Sequence, residues 1–252
     1  MIGVKGLRKS YGHSVVVDDV DLEIPAGGVT SIIGPNGAGK STLLGIVSRL
    51  LDPDSGVVTV DGLDVATTRG DEIARRLAVL RQDNHLAVRL TVRDLVRFGR
   101  YPWSKGRPTA ADTELVERAI GWVELDGLAD RFLDEMSGGQ RQRAFVAMAL
   151  CQDTDYVLLD EPLNNLDMRH AVSMMRRLRR AADELGRTVV LVLHDINFAS
   201  CWSDRIVAMR DGAVAHQGTP DEIMREDVLR DIYGMDIPVQ EVGGRRIGVY
   251  FT

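Results

Sequence analysis

The sequence has little cysteine and no long apolar run, and each shortage excludes a class of protein. Its 252 residues include two cysteines, Cys151 and Cys201, whose spacing fits neither a metal site nor a redox pair. We expect both to be small core residues in a reducing compartment. No stretch approaches the roughly 18 apolar residues that a membrane-spanning helix needs. The first residues also lack the apolar segment of a secretory signal, so any role at a membrane is expected to be peripheral.

The sequence also lacks a basic excess, with 31 Lys and Arg against 37 Asp and Glu and a net charge of −6. Surfaces that bind duplex nucleic acid are usually basic, so we expect no nucleic-acid partner. Four arginines cluster within residues 176–180, but Asp183 and Glu184 follow them in a helical pattern. This mixture favours a solvated helix face over a nucleic-acid patch.

Strands and helices alternate along the chain, which predicts an α/β fold. We expect one α/β core, formed by residues 1–84 and 155–252 with N-terminal antiparallel strands, and a helical subdomain inserted over 85–154. In the core, the expected elements are strands over 2–24 around a turn at Tyr11-Gly12-His13, strand 29–33, a helix to about residue 50, strands over 57–65, strand 78–80, strand 156–159, helix 166–185, strand 188–193, hairpin 205–217 and helix 220–233. Between residues 91 and 149 we expect mostly helices, with Leu115, Ile120 and Val123 on one apolar stripe.

The segment after the first compact apolar strand fits the P-loop pattern, and its residues are Gly34, Pro35, Asn36, Gly37, Ala38, Gly39, Lys40 and Ser41. Glycines let successive N–H groups turn inward around phosphate oxygens, and the helix N-terminus adds positive potential. We expect Lys40 to reach the β- and γ-phosphates, Ser41 to ligate magnesium, and Thr42 to belong to the same binding site. The strand, the lysine and the hydroxyl together argue against a turn that merely needs glycine.

A second apolar strand ends in Asp160 and is followed by Glu161. Open α/β sheets bind ligands at the carboxyl ends of their strands. We therefore expect Asp160 to hold magnesium and Glu161 to act as the base for an attacking water, a contribution of typically ~10²–10⁴ in rate. Alone, the pair could equally be a solvated acidic strand end; beside a P-loop, the functional interpretation is favoured.

Two further polar residues follow core strands. His194 closes the strand 188–193, and its place favours a γ-phosphate contact over a structural histidine. Gln82 follows strand 78–80 and could offer its amide oxygen to magnesium or water, although this signal is weak on chemistry alone. We include both residues in the candidate catalytic site.

The segment Met136-Ser137-Gly138-Gly139-Gln140-Arg141-Gln142-Arg143 forms a second candidate anion site. Ser137 is a good N-cap, and Gly138 and Gly139 expose backbone donors. We include Gln140 with them in the candidate nucleotide-binding site. Because the chain already has its own P-loop, we expect Ser137 to bind the γ-phosphate held by another copy. The alternative is an unusual glycine-rich helix start.

These motifs resemble, in order and over nearly the whole chain, the ABC transporter ATPase family: Tyr11, the P-loop, Gln82, the signature at Ser137, Asp160-Glu161, Asp167 and His194. Met136 replaces the more usual leucine of the signature, a volume-conserving change. The resemblance implies an ABC-type P-loop fold, ATP and Mg²⁺ as cofactors, and a head-to-tail dimer with two ATPs between P-loops and signatures. It also implies that Tyr11 stacks on adenine, with a core tyrosine as the alternative, and that Asn164–Asp167 lets the two sites sense each other.

Several stretches resemble the ATPases of ferric-siderophore importers: residues 81–85, 89–96, 98–104, 160–167 and 194–199. Cobalamin and haem importers carry close relatives of these motifs. The resemblance implies a peripheral subunit at the cytoplasmic face of the membrane, bound to permease subunits and served indirectly by a substrate-binding protein. Phe98, Tyr101 and Trp103 could anchor the permease, or could equally be core residues. A minimal subunit without a regulatory domain is expected.

The sequence is compatible with three other functions. A soluble ABC ATPase acting on DNA or ribosomes usually has tandem cassettes or a coiled-coil insertion, and neither is present here. A nucleotide-dependent signalling module would not need a poised base at Glu161. An exporter subunit is the alternative nearest to an importer subunit. Exporters often fuse the ATPase to membrane spans, but because they do not always do so, the sequence only makes this alternative less favoured.

Overall fold

The computed structural model describes residues 1–82 and 88–251. Its strands are β1 (Ile2–Tyr11), β2 (Ser14–Ile24), β3 (Val29–Ile33), β4 (Ser55–Val60), β5 (Leu63–Asp64), β6 (Leu77–Leu80), β7 (Tyr156–Asp160), β8 (Thr188–Val192), β9 (Arg205–Arg210), β10 (Ala213–Gly218), β11 (Val239–Val242) and β12 (Arg245–Gly248). Its helices are α1 (Lys40–Val47), α2 (Gly70–Ala74), α3 (Val92–Phe98), α4 (Tyr101–Ser104), α5 (Ala110–Trp122), α6 (Gly138–Cys151), α7 (Met168–Leu185), α8 (Ile196–Trp202), α9 (Pro220–Ile223) and α10 (Glu226–Tyr233).

The chain divides into two compact units, Met1–Thr68 with Thr188–Thr252, and Arg69–Arg187. The predicted boundary at residue 154 falls inside the second unit, and the one at residue 85 lies outside the described residues. The division into core and inserted helical subdomain therefore stays a prediction. Asp83, Asn84 and His85, which contribute to the family resemblance, also lie outside the described residues.

The first unit contains an antiparallel sheet in the order β2-β1-β4-β5 and four strands in the order β10-β9-β3-β8. β3 pairs in parallel with β8 and β9, and β10 returns antiparallel. Every residue of β3 and β8 is buried, as expected for strands covered on both faces. The predicted hairpin is confirmed, and Asp211 and Gly212 at its turn have the positive φ values, 50° and 84°, that a two-residue hairpin turn favours.

The C-terminal part of this unit differs from the prediction in two ways. The single helix predicted over 220–233 is interrupted at Met224, where ψ is 61°, so α9 and α10 are separate helices. The hairpin β11–β12 was missed, although Gly243 and Gly244 at its turn both have positive φ. A glycine pair between two short strands is a recognised hairpin signal.

The second unit pairs β6 in parallel with β7 and packs α3, α5 and α6 together. α3, α5 and α6 each begin with a capping box, at Thr91, Thr109 and Ser137. The predicted apolar stripe is confirmed at Ile120 and Val123, which are both buried, whereas Leu115 is only half-buried and Val116 and Ala119 are buried in its place. The core prediction for the cysteines holds for Cys151, whereas Cys201 is half-buried.

Candidate nucleotide-binding and catalytic site

The P-loop lies in the first unit, between β3 and α1, in the predicted strand-loop-helix arrangement. Gly34, Gly37 and Gly39 have φ values of 140°, 82° and 93°, which side chains rarely adopt. A Cβ atom on Gly34 would lie 2.1 Å from the carbonyl oxygen of Met209, and one on Gly39 would lie 2.4 Å from that of Val16. Glycine is therefore required at both ends of the loop, by backbone conformation and by space.

Lys40 is the first residue of α1 and is only 5% exposed. Its Nζ atom donates hydrogen bonds of 2.8 Å to the carbonyl oxygens of Gly34 and Pro35. Ser41 and Thr42 follow in the first helical turn and are half-buried. The Lys40 ammonium group and the N-terminus of α1 thus lie at one glycine-rich loop, which is the arrangement that binds phosphate.

Tyr11 and His194, also in the first unit, are both exposed. Tyr11 ends β1 with 49% of its surface exposed, so the alternative of a core tyrosine is wrong, and the Lys9 ammonium lies 5.8 Å from its ring centroid. His194 lies two residues beyond β8, immediately before Asp195, which caps α8 by accepting from the N–H groups of Asn197 and Phe198. Both side chains can therefore reach a ligand, and their roles stay predictions.

Tyr233 was not among the predicted site residues. It ends α10, and burial raises the pKa of its phenol, an effect that the backbone of Gly34 partly offsets. The end of α10 therefore lies near the backbone of Gly34, at the start of the P-loop. Nothing in the local sequence indicates this proximity, because it joins segments about two hundred residues apart.

The acidic pair lies in the second unit, where β7 ends. Asp160 and Glu161 are 6% and 7% exposed, and Glu161 has a φ of 51°, in the left-handed region. Such a conformation is uncommon for a residue other than glycine and is frequent at functional sites. Because β6 and β7 are parallel and in register from Leu77–Tyr156 to Leu80–Leu159, Gln82 emerges at the same edge as Glu161.

The structure brings Gln82 and Glu161 together, with Gln82 Nε2 donating to Glu161 Oε2 at 2.8 Å. The sequence suggested a use for the amide oxygen of Gln82, whereas the contact seen here uses the amide nitrogen. Asn164 Nδ2 also donates to Glu161 Oε2. The family resemblance implies only a sensing role for the loop that contains Asn164, and no sequence pattern predicts the contact of Asn164 with Glu161.

The signature segment begins α6 in the same unit. Ser137 is an exposed N-cap that accepts from Gln140 N–H at 3.2 Å, while Gln140 Oε1 accepts from Ser137 N–H at 3.1 Å. Gly138 is exposed, Gly139 is half-buried, and Met136 is buried in the position expected for the usual leucine. The helix start is thus open to a ligand on its outer side, as binding to phosphate from another copy would require.

Two further predictions concern the surface. Phe98, Tyr101 and Trp103 are 53%, 58% and 40% exposed, so the core alternative for these aromatics is wrong. In the part of the chain that the structure describes, no helix has both the length and the apolar character needed to cross a membrane.

Comparison with known proteins agrees with these motifs. A family model described as ABC transporter matches residues 17–164. A petrobactin import ATP-binding protein of Bacillus subtilis, YclP, is 49% identical over 100% of both chains, and one of Bacillus anthracis, FatE, is 51% identical over 99% of this chain and 100% of its own. A dimeric ATP-binding cassette solved in a post-hydrolysis state with ADP and Pi has a TM-score of 0.79 at 29% identity, covering 87% of this chain and 99% of that one. The chain belongs to the ABC transporter family, as one of its ATP-hydrolysing nucleotide-binding subunits.

Proposed function

We propose that the chain is the ATPase subunit of an importer for ferric-siderophore complexes. The observation that carries this proposal is the similarity, over the whole chain, to two proteins named for petrobactin import. Relatives named for iron(3+)-hydroxamate and ferric enterobactin, at 37% and 40% identity, support the siderophore class more than any single siderophore.

In the proposed assembly, two copies bind head to tail on the cytoplasmic side of integral-membrane permease subunits, which receive cargo from a substrate-binding protein. The P-loop of each copy binds the phosphates of one ATP through its backbone N–H groups and Lys40, and Tyr11 stacks on the adenine. Ser137, Gly138 and Gly139 of the other copy donate to the γ-phosphate. Each copy thus supplies donors that the other lacks, and ATP closes the dimer.

The residues predicted to hold magnesium offer suitable ligands. Ser41, Asp160 and Gln82 carry hydroxyl, carboxylate and amide oxygens, the hard donors that Mg²⁺ prefers, and the ion usually shares its coordination with nucleotide phosphates. When bound, Mg²⁺ would neutralise charge on the phosphates.

Hydrolysis is assigned to Glu161 as the general base. Its carboxylate accepts a proton from the attacking water while Lys40 and His194 stabilise the charge that develops on the γ-phosphate. Loss of the γ-phosphate removes the bridge between the two copies, and the dimer reopens. Opening and closing would move the permease through the surface that carries Phe98, Tyr101 and Trp103.

The proposal is tested by uptake of labelled ferric siderophores, cobalamin and haem in cells of the source organism. One strain carries the natural chain and the other carries Glu161→Gln at the same locus, with matched protein levels. Selective loss of ferric-siderophore uptake is expected. Loss of cobalamin or haem uptake instead would change the cargo, and unchanged uptake of all three would favour an exporter or a soluble ATPase.

A further inference from the structure

Asn164 lies three residues after Glu161 in a loop made of consecutive tight turns. The N–H of Asn164 donates to the carbonyl oxygen of Glu161 at 3.2 Å, and the N–H of Leu166 donates to Leu163 at 3.2 Å. Asp167 then ends the loop by capping α7 through the N–H of His170 at 2.8 Å. The loop is therefore anchored at both ends, and the position of Asn164 is fixed relative to Glu161.

The side chain of Asn164 is used for a specific contact. An asparagine in a turn usually bonds to the nearby backbone. Here Nδ2 donates to the Oε2 atom of Glu161, although Asn164 itself is exposed. Gln82 Nε2 reaches the same oxygen from the end of β6 at 2.8 Å. Two neutral amides from different segments thus bind one oxygen of the carboxylate.

This arrangement restrains the orientation of the carboxylate. A glutamate has three side-chain torsions, and the last is broad and only weakly staggered, so burial alone does not set the direction of its oxygens. Two donors on Oε2 fix that torsion and direct Oε1 to a defined place. A carboxylate held in this way needs no reorganisation when it accepts a proton, which is the usual benefit of a preorganised base.

The amide group suits this task better than its close alternatives. Aspartate has the same shape but is acceptor-only when ionised, and it would repel Glu161. Lysine would donate but would form an ion pair with the base. We propose that Asn164 is a positioning residue that holds the Glu161 carboxylate for hydrolysis. The inference rests on the proposed role of Glu161 as the base.

The test is steady-state hydrolysis by the purified chain with its permease, with ATP binding measured separately. Asn164→Ala and the isosteric Asn164→Asp are expected to lower kcat about tenfold, which is less than the ~10²–10⁴ that the positioned base itself contributes. Both variants should leave KM for ATP unchanged. Met168→Ala, at an 81% exposed side chain just beyond the loop, is the control and should keep the natural rate.

A double-mutant cycle with Glu161→Gln separates positioning from a general structural effect. If Asn164 acts through Glu161, Asn164→Asp should not lower further the residual rate of Glu161→Gln. The inference is overturned if Asn164→Asp keeps the natural kcat, raises KM in proportion, or lowers the residual rate in the double variant. Normal hydrolysis by Glu161→Gln would instead remove the proposed base and the inference with it.

Discussion

Two P-loop glycines with similar backbone angles differ in the space around them. Gly37 and Gly39 have φ values of 82° and 93°. A Cβ atom on Gly37 would meet nothing within 4 Å, whereas one on Gly39 would lie 2.4 Å from the carbonyl oxygen of Val16. Alanine at Gly37 would therefore cost only the free energy of backbone strain, whereas alanine at Gly39 would add the cost of a steric clash.

We expect Gly37→Ala to lower the free energy of unfolding by about 1–2 kcal/mol, the usual cost of a left-handed L-residue. Gly39→Ala should cost several kcal/mol more, because the backbone of Val16 must move. Urea unfolding of the two purified variants measures the difference. Equal losses would show that the contact with Val16 is relieved at little cost.

Some contacts of individual site residues could be predicted from the sequence and others could not. Three motifs could be predicted because each has a local pattern at a strand or helix end: the P-loop, the Asp160-Glu161 pair and the signature. The contact of Gln82 and Asn164 with Glu161, which the structure shows, could not be predicted from the sequence. It depends on the left-handed backbone of Glu161 and on side-chain torsions, and neither leaves a pattern in the sequence.

At the scale of elements, a buried ion pair joins the start of α5 to the residues that follow α3. Arg100 Nε donates to Asp112 Oδ1 at 2.8 Å, with both side chains 8% exposed, and Arg100 Nη1 donates to the carbonyl oxygens of Cys151 and Gln152. Hydrogen bonds from Thr109 and Arg100 lower the pKa of Asp112. The pair thus ties α3, α5 and α6 together.

Arg100→Met should lower the free energy of unfolding by about 3 kcal/mol, because it leaves Asp112 buried without its partner. A lowered pKa in the folded state means that the Asp112 carboxylate stabilises the fold above its unfolded pKa, near 4, and that this contribution is lost as the pH falls through the folded value. The difference between the natural chain and Arg100→Met should therefore shrink in denaturant titrations carried out below about pH 4. A constant difference would assign the loss to packing instead.

Helices α3 and α4 also carry exposed aromatic side chains. Phe98 and Tyr101 are 53% and 58% exposed, and the Lys105 ammonium lies 5.9 Å from the Tyr101 ring centroid. Large exposed aromatics near one another are typical of interfaces. We propose that this surface binds the permease.

The double variant Phe98→Ser/Tyr101→Ser should abolish binding to permease in detergent, measured by co-purification, while ATP binding by the isolated chain is unchanged. Leu185→Ser, at an equally exposed apolar residue on α7, is the matched control. Retention of the permease by the double variant would place the docking surface elsewhere.

The whole molecule is expected to form its complete site only as a dimer. The sequence could predict this from one argument, that a chain with its own P-loop also carries a second anion site at Ser137. It could not predict the break between α9 and α10 or the position of Tyr233 near Gly34, because both depend on packing between distant segments.

Dimerisation is best tested in a variant that does not hydrolyse ATP, because hydrolysis would reopen the dimer. Glu161→Gln should become dimeric when ATP and Mg²⁺ are added, as measured by light scattering. Adding Gly138→Asp should keep it monomeric while its own P-loop still binds ATP. An added Cβ at Gly138 would lie 3.4 Å from Cβ of Asn165, so the side chain fits, but its charge would oppose the γ-phosphate at the start of α6.

Gly127→Asp is the control for that added charge. It makes the same substitution in the same unit, at a glycine whose Cβ would meet nothing within 4 Å, and should leave the ATP-dependent dimer intact. A dimer that persists with Gly138→Asp would remove the signature from the interface. A Glu161→Gln chain that stays monomeric with ATP would mean that closure needs the permease, because the isolated copies then gain too little from the shared phosphates to offset the cost of association.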